Sequence, residues 1–503
     1  MSLTKASFSM ITGSIGNILD YGAVAFPTRA AAIAGSGDSS AALQSALNDH
    51  ASVFIPAGYY RIENTVVLYS GKKIFGENFN ASNLIGCGTL GSTGRNVIES
   101  ARVNVITDGG TDAQIVIEDL NIDGGGNGAP YANGIELGSR NPNPGNGVLF
   151  EMRRINLNYC QNGMQIHGAT FSVMETINIT GYDANSSGYG VLFDRYTNGL
   201  VWYNGLVSDF ATNIQISGGG CTFIEVAGGT AANGAYGTGW TNTWTQNIWY
   251  LNNAQGNYFL RCGSEYLTPR AISEVTLIST SSTTPNSIQN VFEQFYWAGV
   301  NTSSTCRVRV GVAGGSYNPV SKTVFRDCIF LAGIPISGSQ YGDIWIDNAE
   351  NTLIEYSSEN SGYYDPNDPT PLIYYTTGNA TSTNTKIIPW ATTLYVVGAS
   401  GQPSFQNSWA AYSNSAYQAP AFYIDGATNV VHLTGIAAGG TTTQGTVIFT
   451  LPAGFRPNYN EQFAVINNNS FGSVQVGSNG QVTIQSGGNT TLSFSGISFR
   501  ATQ

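Results

Sequence analysis

The chain has 503 residues, more than one compact core commonly supports, yet only 10% of them are charged, against about a quarter in ordinary soluble domains. With 62 glycines, 42% hydrophobic and 12% aromatic residues, it is neither a disordered polar chain nor a set of membrane spans, and reads as a folded, soluble, strand-rich protein. Twenty basic against thirty-one acidic side chains give a net charge of −11, which offers no positive field to hold nucleic acid or an anionic bilayer.

In chain order, the N-terminal MSLTKASFSMITGSIG has no apolar run behind a basic start, and no later stretch approaches the ~18 apolar residues of a spanning helix. One segment reads as helix: Asp38 and Ser39 offer N-cap oxygens, and Ala42, Leu43, Ala46 and Leu47 recur at helical spacing before Asn48. From Ser52 onward, runs such as SVFIP, TVVLYS, AQIVIEDLNI, GVLFEMRRINL and TINIT alternate with Gly, Asn, Asp and Ser clusters, the pattern of many short strands joined by turns. The fold class is therefore all-β.

GNYFLRCGSEYL, IQNVFEQFYWAG and KTVFRDCIFLAG align on Phe259, Phe292 and Phe325, 33 residues apart, and Ile354 of NTLIEYSSEN falls in the same column. In each segment the anchor is followed, three and five positions on, by small or apolar residues: Cys262 and Ser264, Phe295 and Trp297, Cys328 and Phe330. A corner with two outward residues would leave these pointing inward. Stacking such coils pairs each strand with those above and below it, so only the two ends need covers. The spacing predicts a parallel β-helix.

Further motifs carry a resemblance. ILDYGA at 18–23, DSSAALQSALND at 38–49 and SVFIPAGYYRIENTVVLYSGKKIFGEN at 52–78 resemble the opening of bacteriophage tailspikes and the pectate-lyase-like right-handed β-helices, with FPTRAAAIAG inserted after GAV. TLPAGFRPNYNEQFAVINNN and the alternating strands that follow it are similar to the small β-sandwich that closes many phage tail proteins. The resemblance implies an N-terminal neck and cap helix over 1–50, a right-handed parallel β-helix catalytic domain over 51–394, and an antiparallel β-sandwich over 395–503 for trimerisation or carbohydrate binding. It implies a homotrimer on the virion, joined to a phage tail or baseplate adaptor protein and acting at the host bacterial surface on capsular or O-antigen polysaccharide. The attachment head usual in that family does not precede KASFSMI, so either the chain is truncated or a separate protein supplies the mount. Neither a nucleic-acid partner nor membrane insertion is expected.

Glycoside hydrolysis needs two carboxyl groups flanking the scissile bond. Outward positions after the anchors hold Leu260, Glu293, Arg326 and Glu355, then Arg261, Gln294, Asp327 and Tyr356. Glu293 and Asp327 are thus expected as a catalytic pair on consecutive coils, with Glu265, Glu225 and Glu355 as alternatives. Against this, outward acids on a β-helix commonly just solvate it or pair with neighbours such as Arg261 and Arg326. Tyr236, Trp240 and Trp244 of AYGTGWTNTWTQNIWY would wall a sugar groove, whereas Trp249 and Tyr250 divide between core and sugar contact, and Trp202 and Tyr203 fit an ordinary strand. In the rival elimination chemistry, Arg261 or Arg326 would neutralise a uronate and Tyr296 or Tyr356 would move the proton. A third reading is a non-catalytic receptor-binding spike.

No metal site and no cofactor is expected. The six cysteines contain no CxxC and read mostly as buried thiols, and the three histidines make no HExxH or HxH. Asp123 and Asn127 in IDGGGNG lack the spacing of a calcium loop and read as a tight turn. GDS at 37–39 opens a helix and does not follow a strand, which argues against a nucleophilic serine. His167 in QIHGAT lacks the preceding Gly of a polygalacturonase GHG.

Overall fold

The computed structural model describes residues 14–501 except 89, 91–94, 105–109, 126–131, 141–146, 182–187, 230–246, 267–272, 280–286, 300–305, 312–317, 332–343, 347, 356–357, 361–372, 376–385, 389–393, 400–401 and 426–429. Two compact units are present, one of Met1–Thr352 with Ser357–Thr383, the other of Leu353–Tyr356 with Asn384–Gln503.

The first unit is a wound coil whose described turns build two stacked sheets and, from Val148 on, a third column of bridges. Sheet A carries strands such as Lys73–Gly76, Asp112–Asp123, Val148–Cys160, Val173–Gly181, Val201–Ser208 and Thr222–Gly229, each parallel to the next. Sheet B stacks Val66–Leu68, Asn96–Ser100, Asn133–Leu137, Met164–Ile166, Tyr189–Phe193, Thr212–Ile216, Asn247–Asn252 and Ser273–Ile278, again all parallel. A third column consists of single bridges, Thr170 to Asn198, Gly219, Gln255, Ile288 and Ser321. Parallel pairing between successive turns satisfies the backbone without long hairpins. This is the parallel β-helix that the repeat predicts.

Alternation decides which side chains face in. Along Asp112–Asp123, Ile115, Ile117, Leu120 and Ile122 are buried, and the change of parity between Ile117 and Leu120 leaves Glu118 and Asp119 both outward. Asp119 sits there at φ 57, and the same corner recurs at Arg154, Thr176, Asn204, Glu225, Arg261, Gln294 and Asp327, with φ between 50 and 57. A left-handed side-chain-bearing residue costs about 1–2 kcal/mol. The cost is offset across turns, since the Arg261 N–H donates to the Glu293 carbonyl at 3.0 Å and the Gln294 N–H to that of Arg326 at 2.9 Å. From Tyr258 onward the corner splits sheet A strands in two, as in Val291–Glu293 and Tyr296–Gly299.

The anchor column is in register as expected, Phe259 opposite Phe292 and Phe292 opposite Phe325. Their rings stack at 4.6 and 5.2 Å, and Phe223, 36 residues before Phe259, extends the stack by one turn at 5.0 Å. Cys262, Ser264, Phe295, Trp297 and Cys328 are all buried, as the inward positions require. Trp202 and Trp249 are also core, while Tyr203 is exposed. Five described cysteines are free and buried.

The helix spans Ser40–Asp49, but Ser39 does not cap it with its side chain. Instead Asp38 Oδ1 accepts from the Ser40 N–H at 2.9 Å, and Ser39 Oγ accepts from the Val24 N–H. Ser39 is fully buried, which fits its reading as structural. A second helix, Arg29–Ala34, lies in the inserted segment and is not signalled by periodicity; Thr28 Oγ1 accepts from the Ala31 N–H at 3.1 Å and starts it. Arg29 pins this helix to the coil. Its guanidinium holds Asp123 at 2.6 and 3.0 Å and lies 4.3 Å over the Tyr159 ring. Among the described residues no helix is long and apolar enough to cross a membrane.

The second unit contains two antiparallel sheets, one of Tyr395–Val396, Ala421–Asp425, Val430–Thr434 and Ile497–Arg500, the other of seven strands including Thr446–Thr450, Glu461–Asn467, Ser470–Val476 and Gln481–Ser486. Phe422, Val431 and Leu433 of the first and Ile448, Val465, Val474 and Ile484 of the second share one apolar core.

Candidate functional site

Two surfaces of the coil gather charged and polar side chains, one expected and one not. The expected one is the outer face of sheet A. Register places Glu293 between Leu260 and Arg326, and its carboxylate accepts from the Tyr258 hydroxyl at 2.9 Å and lies 3.6 Å from the Arg326 guanidinium. Burial first, then the bond to Glu293 and its negative charge, raise the Tyr258 phenol, so it stays protonated and donates. Asp327 occupies the left-handed corner of the next turn at φ 50, the position that Gln294 holds one turn below. The two acids therefore stand on consecutive turns, offset by one residue.

The remaining expected residues scatter. Glu225 and Arg261 pair with each other at 3.0 Å, both about half exposed, the solvated ion pair that outward acids on a coil commonly form. The Tyr296 ring lies against the backbone of Gly263, where an added Cβ would come within 2.1 Å of it. Glu265 is opposite Ala298, and Glu355, in a different unit, ends the strand Leu353–Glu355. Tyr236, Trp240, Trp244 and Tyr356 lie outside the described residues.

The unexpected surface is a groove of about 950 Å³ between sheet B and the bridge column. Its lining comes from five successive turns, from Arg140 and His167 to Asp194, Gln215 and Gln255, a run of about 19 Å at the ~4.8 Å strand spacing. Aligned sheet B triplets place it: Leu137, Ile166 and Phe193 stack in register, and His167 and Asp194 directly follow the latter two as the strands end. Glu136, which faces outward one residue before Leu137, is nonetheless fully buried.

Four donors cover that carboxylate. Arg140 clasps it through Nε and Nη2, both at 2.5 Å, Asn96 donates at 2.7 Å, and His167 Nε2 stands at 3.0 Å. Burial alone would push Glu136 up, but the bonds from Arg140, His167 and Asn96 outweigh it and hold the group at about 2. His167 Nδ1 meets Asp194 Oδ2 at 3.2 Å on the other side. Burial would lower the imidazolium, yet Asp194 and Glu136 together raise it to about 9. At neutral pH a cationic imidazole is thus locked between two carboxylates. Asp194 also accepts from the Gly168, Tyr196 and Thr197 donors, so it is a fixed acceptor at the groove wall. Glu99, opposite Glu136 one turn below, is raised chiefly by burial. Among the described residues no cluster of three or more His, Cys, Asp or Glu is arranged to hold a metal ion.

No protein-family model and no curated protein sequence matches the chain. Solved structures do. PfbA, a surface adhesin of Streptococcus pneumoniae, is 12% identical, covers 82% of this chain and 96% of its own, and superposes with a TM-score of 0.50. The catalytic unit of a GH87 alpha-1,3-glucanase from Streptomyces thermodiastaticus is 10% identical over 75% of this chain and 69% of its own, with a TM-score of 0.49. ORF18 of Geobacillus virus E2 is 14% identical over 93% of this chain and 75% of its own, with a TM-score of 0.43. What the likeness to the adhesin shows is the fold: the chain is a parallel β-helix protein.

Proposed function

We propose that the protein is a polysaccharide depolymerase of the bacteriophage tailspike kind, a homotrimer carried on the virion that cleaves capsule or O-antigen at the host surface. The observation that supports it best is the placement of Glu293. This acid is held on the outer wall of a rigid stack, beside a cation and a protonated phenol, with a second acid one turn above. Combining the ~4.8 Å strand spacing with a one-residue offset of ~3.3 Å separates the two backbone positions by about 6 Å, from which the side chains can reach the ~6.5–9.5 Å carboxyl separation of an inverting pair. Glu293, facing Arg326 at 3.6 Å, would take a proton from the attacking water. Asp327 would give its proton to the leaving glycosidic oxygen, and water adds across the broken C–O bond.

Elimination is the second reading, and the convergence of Tyr258 and Arg326 on one carboxylate favours it. A guanidinium there would neutralise a uronate while the base removes the neighbouring proton; that electron pair forms a C=C bond as the glycosidic C–O bond breaks, and the leaving oxygen takes up a proton. Spotting the protein on lawns of differently capsulated bacteria identifies a substrate by its halo. New reducing ends without ultraviolet absorbance support hydrolysis; an absorbing unsaturated end supports elimination. Glu293→Gln should lower turnover by orders of magnitude in either case. Bound glycan of unchanged length after long incubation with the unaltered protein would instead leave a receptor-binding spike.

A further inference from the structure

The sheet B groove shares no residue with the column that carries Glu293, and its polar groups divide into two sets. In the first set the charges are compensated, Arg140 by Glu136 and His167 by Glu136 and Asp194. Arg195 is the exception. It is exposed on the groove rim, stacked on Tyr196 with its guanidinium 4.7 Å from the ring centre, and has no carboxylate partner among the described residues.

The second set is made of amides. Gln215 projects from sheet B, and Asn198 and Gln255 belong to the bridge column, so three carboxamides from three successive turns face one channel. No side-chain hydrogen bond occupies any of the three among the described residues, although the protein satisfies buried amides elsewhere with ladders such as Asn257 to Asn290 at 3.0 Å. Each carboxamide offers two donors and an acceptor, the complement of a sugar hydroxyl. Gly218 and Gly219 floor the channel because of packing: a Cβ on either would come within 2.4 or 2.5 Å of a backbone carbonyl.

We propose that this groove is a binding subsite for an acidic stretch of polysaccharide, separate from the Glu293 face, in which Arg195 meets a sugar carboxylate and Asn198, Gln215 and Gln255 take the hydroxyls. A channel of about 19 Å along the coil axis accommodates a chain lying lengthwise. One cation without a carboxylate partner among the described residues of the groove, in a protein of net charge −11, suits a carboxylate-bearing sugar and is far too little for a phosphate backbone. The ligand class rests on the polysaccharide reading above; the placement of the site does not.

The test uses the full chain in a Glu293→Gln background, so that ligand length stays constant, against an immobilised panel of purified acidic and neutral bacterial polysaccharides. The expected result is retention on one or more acidic members. Arg195→Ala, and separately Gln215→Ala with Gln255→Ala, should each weaken it at least tenfold with an unchanged thermal melt. Equal retention by the parent and both groove variants overturns the subsite, as does retention on neutral members alone. If the groove variants bind normally while Glu293→Gln abolishes cleavage, the subsite falls and the depolymerase stands. Should they lose binding to a glycan that the unaltered protein never shortens, the subsite stands and the depolymerase falls.

Discussion

Replacing Glu136 by Gln should move the titration of a different residue, His167. The imidazole is raised from 6.5 to about 9, a preference for the charged form in the folded state of about 3 kcal/mol. Because the folded value lies above the unfolded one, that stabilisation is fully present below about pH 6.5 and disappears as pH rises through about 9. The Glu136–His167 attraction raises the imidazole and depresses the carboxylate together, so it enters the stability only once. In Glu136→Gln the burial that lowers His167 remains, and Asp194 at 3.2 Å is the carboxylate left to oppose it. Loss of one opposing charge at 3.0 Å should drop the midpoint by roughly 1–3 units. The chain has three histidines, so labelling with 13C-histidine and assignment by single His→Gln variants yields one titration curve for each. Denaturant unfolding at pH 6 and pH 9.5 should show the parent losing about 3 kcal/mol between them, and the variant clearly less. A parent midpoint at or below 6.5, or one that Glu136→Gln leaves in place, would refute the reasoning.

Phe292→Ala removes the middle ring of the stack between Phe259 and Phe325 and should destabilise the coil by about 3–5 kcal/mol, read as a lowered midpoint of thermal or denaturant unfolding. Arg29→Ala leaves Asp123 buried without its counter-ion and should cost a similar ~3–5 kcal/mol, with amide exchange accelerating first in Arg29–Ala34. Asp327→Gly separates fold from chemistry. At φ 50 a glycine relieves the left-handed strain, so unfolding should be unchanged or later, while cleavage falls sharply if the carboxylate acts. Gln294→Gly, at the equivalent corner, supplies the control with activity retained.

Legibility followed constancy of spacing. Phe259, Phe292 and Phe325 announce the coil because two consecutive turns each take 33 residues, whereas Phe223 belongs to the same stack and escapes notice 36 residues earlier. The Arg29–Ala34 helix was hidden by its brevity and its place in an insertion, although Thr28 before three alanines is a start signal. The groove is harder still to see. Glu136, His167 and Asp194 are separated by 31 and 27 residues, and only alignment of the strand triplets ending in Leu137, Ile166 and Phe193 brings them together. His167 in QIHGAT fits no recognised motif, and its partners carry no local pattern. A buried carboxylate on an outward position is set by what folds over it, here Arg140, which neither periodicity nor composition encodes.

The same geometry explains why a coil of this kind suits the chemistry proposed for it. Inward columns are committed to packing, as the stacked phenylalanines and the aliphatic ladder Ile98, Ile135, Met164, Val191 and Ile214 show. Outward columns are held by the same backbone bonds yet contribute little to the core. Along one of them the residues run Glu118, Arg153, Glu175, Tyr203, Ile224, Leu260, Glu293 and Arg326, a series with no common chemistry. The repeated left-handed corner beside it accepts Asp, Arg, Thr, Asn, Glu and Gln alike. Its strain at Asp327 is therefore a property of the winding, shared by seven other turns, and marks no special site. Function must then be sought where outward groups stop being interchangeable. The buried Glu136 meets that criterion, because removing Arg140 or His167 takes a cation away from a carboxylate held out of water.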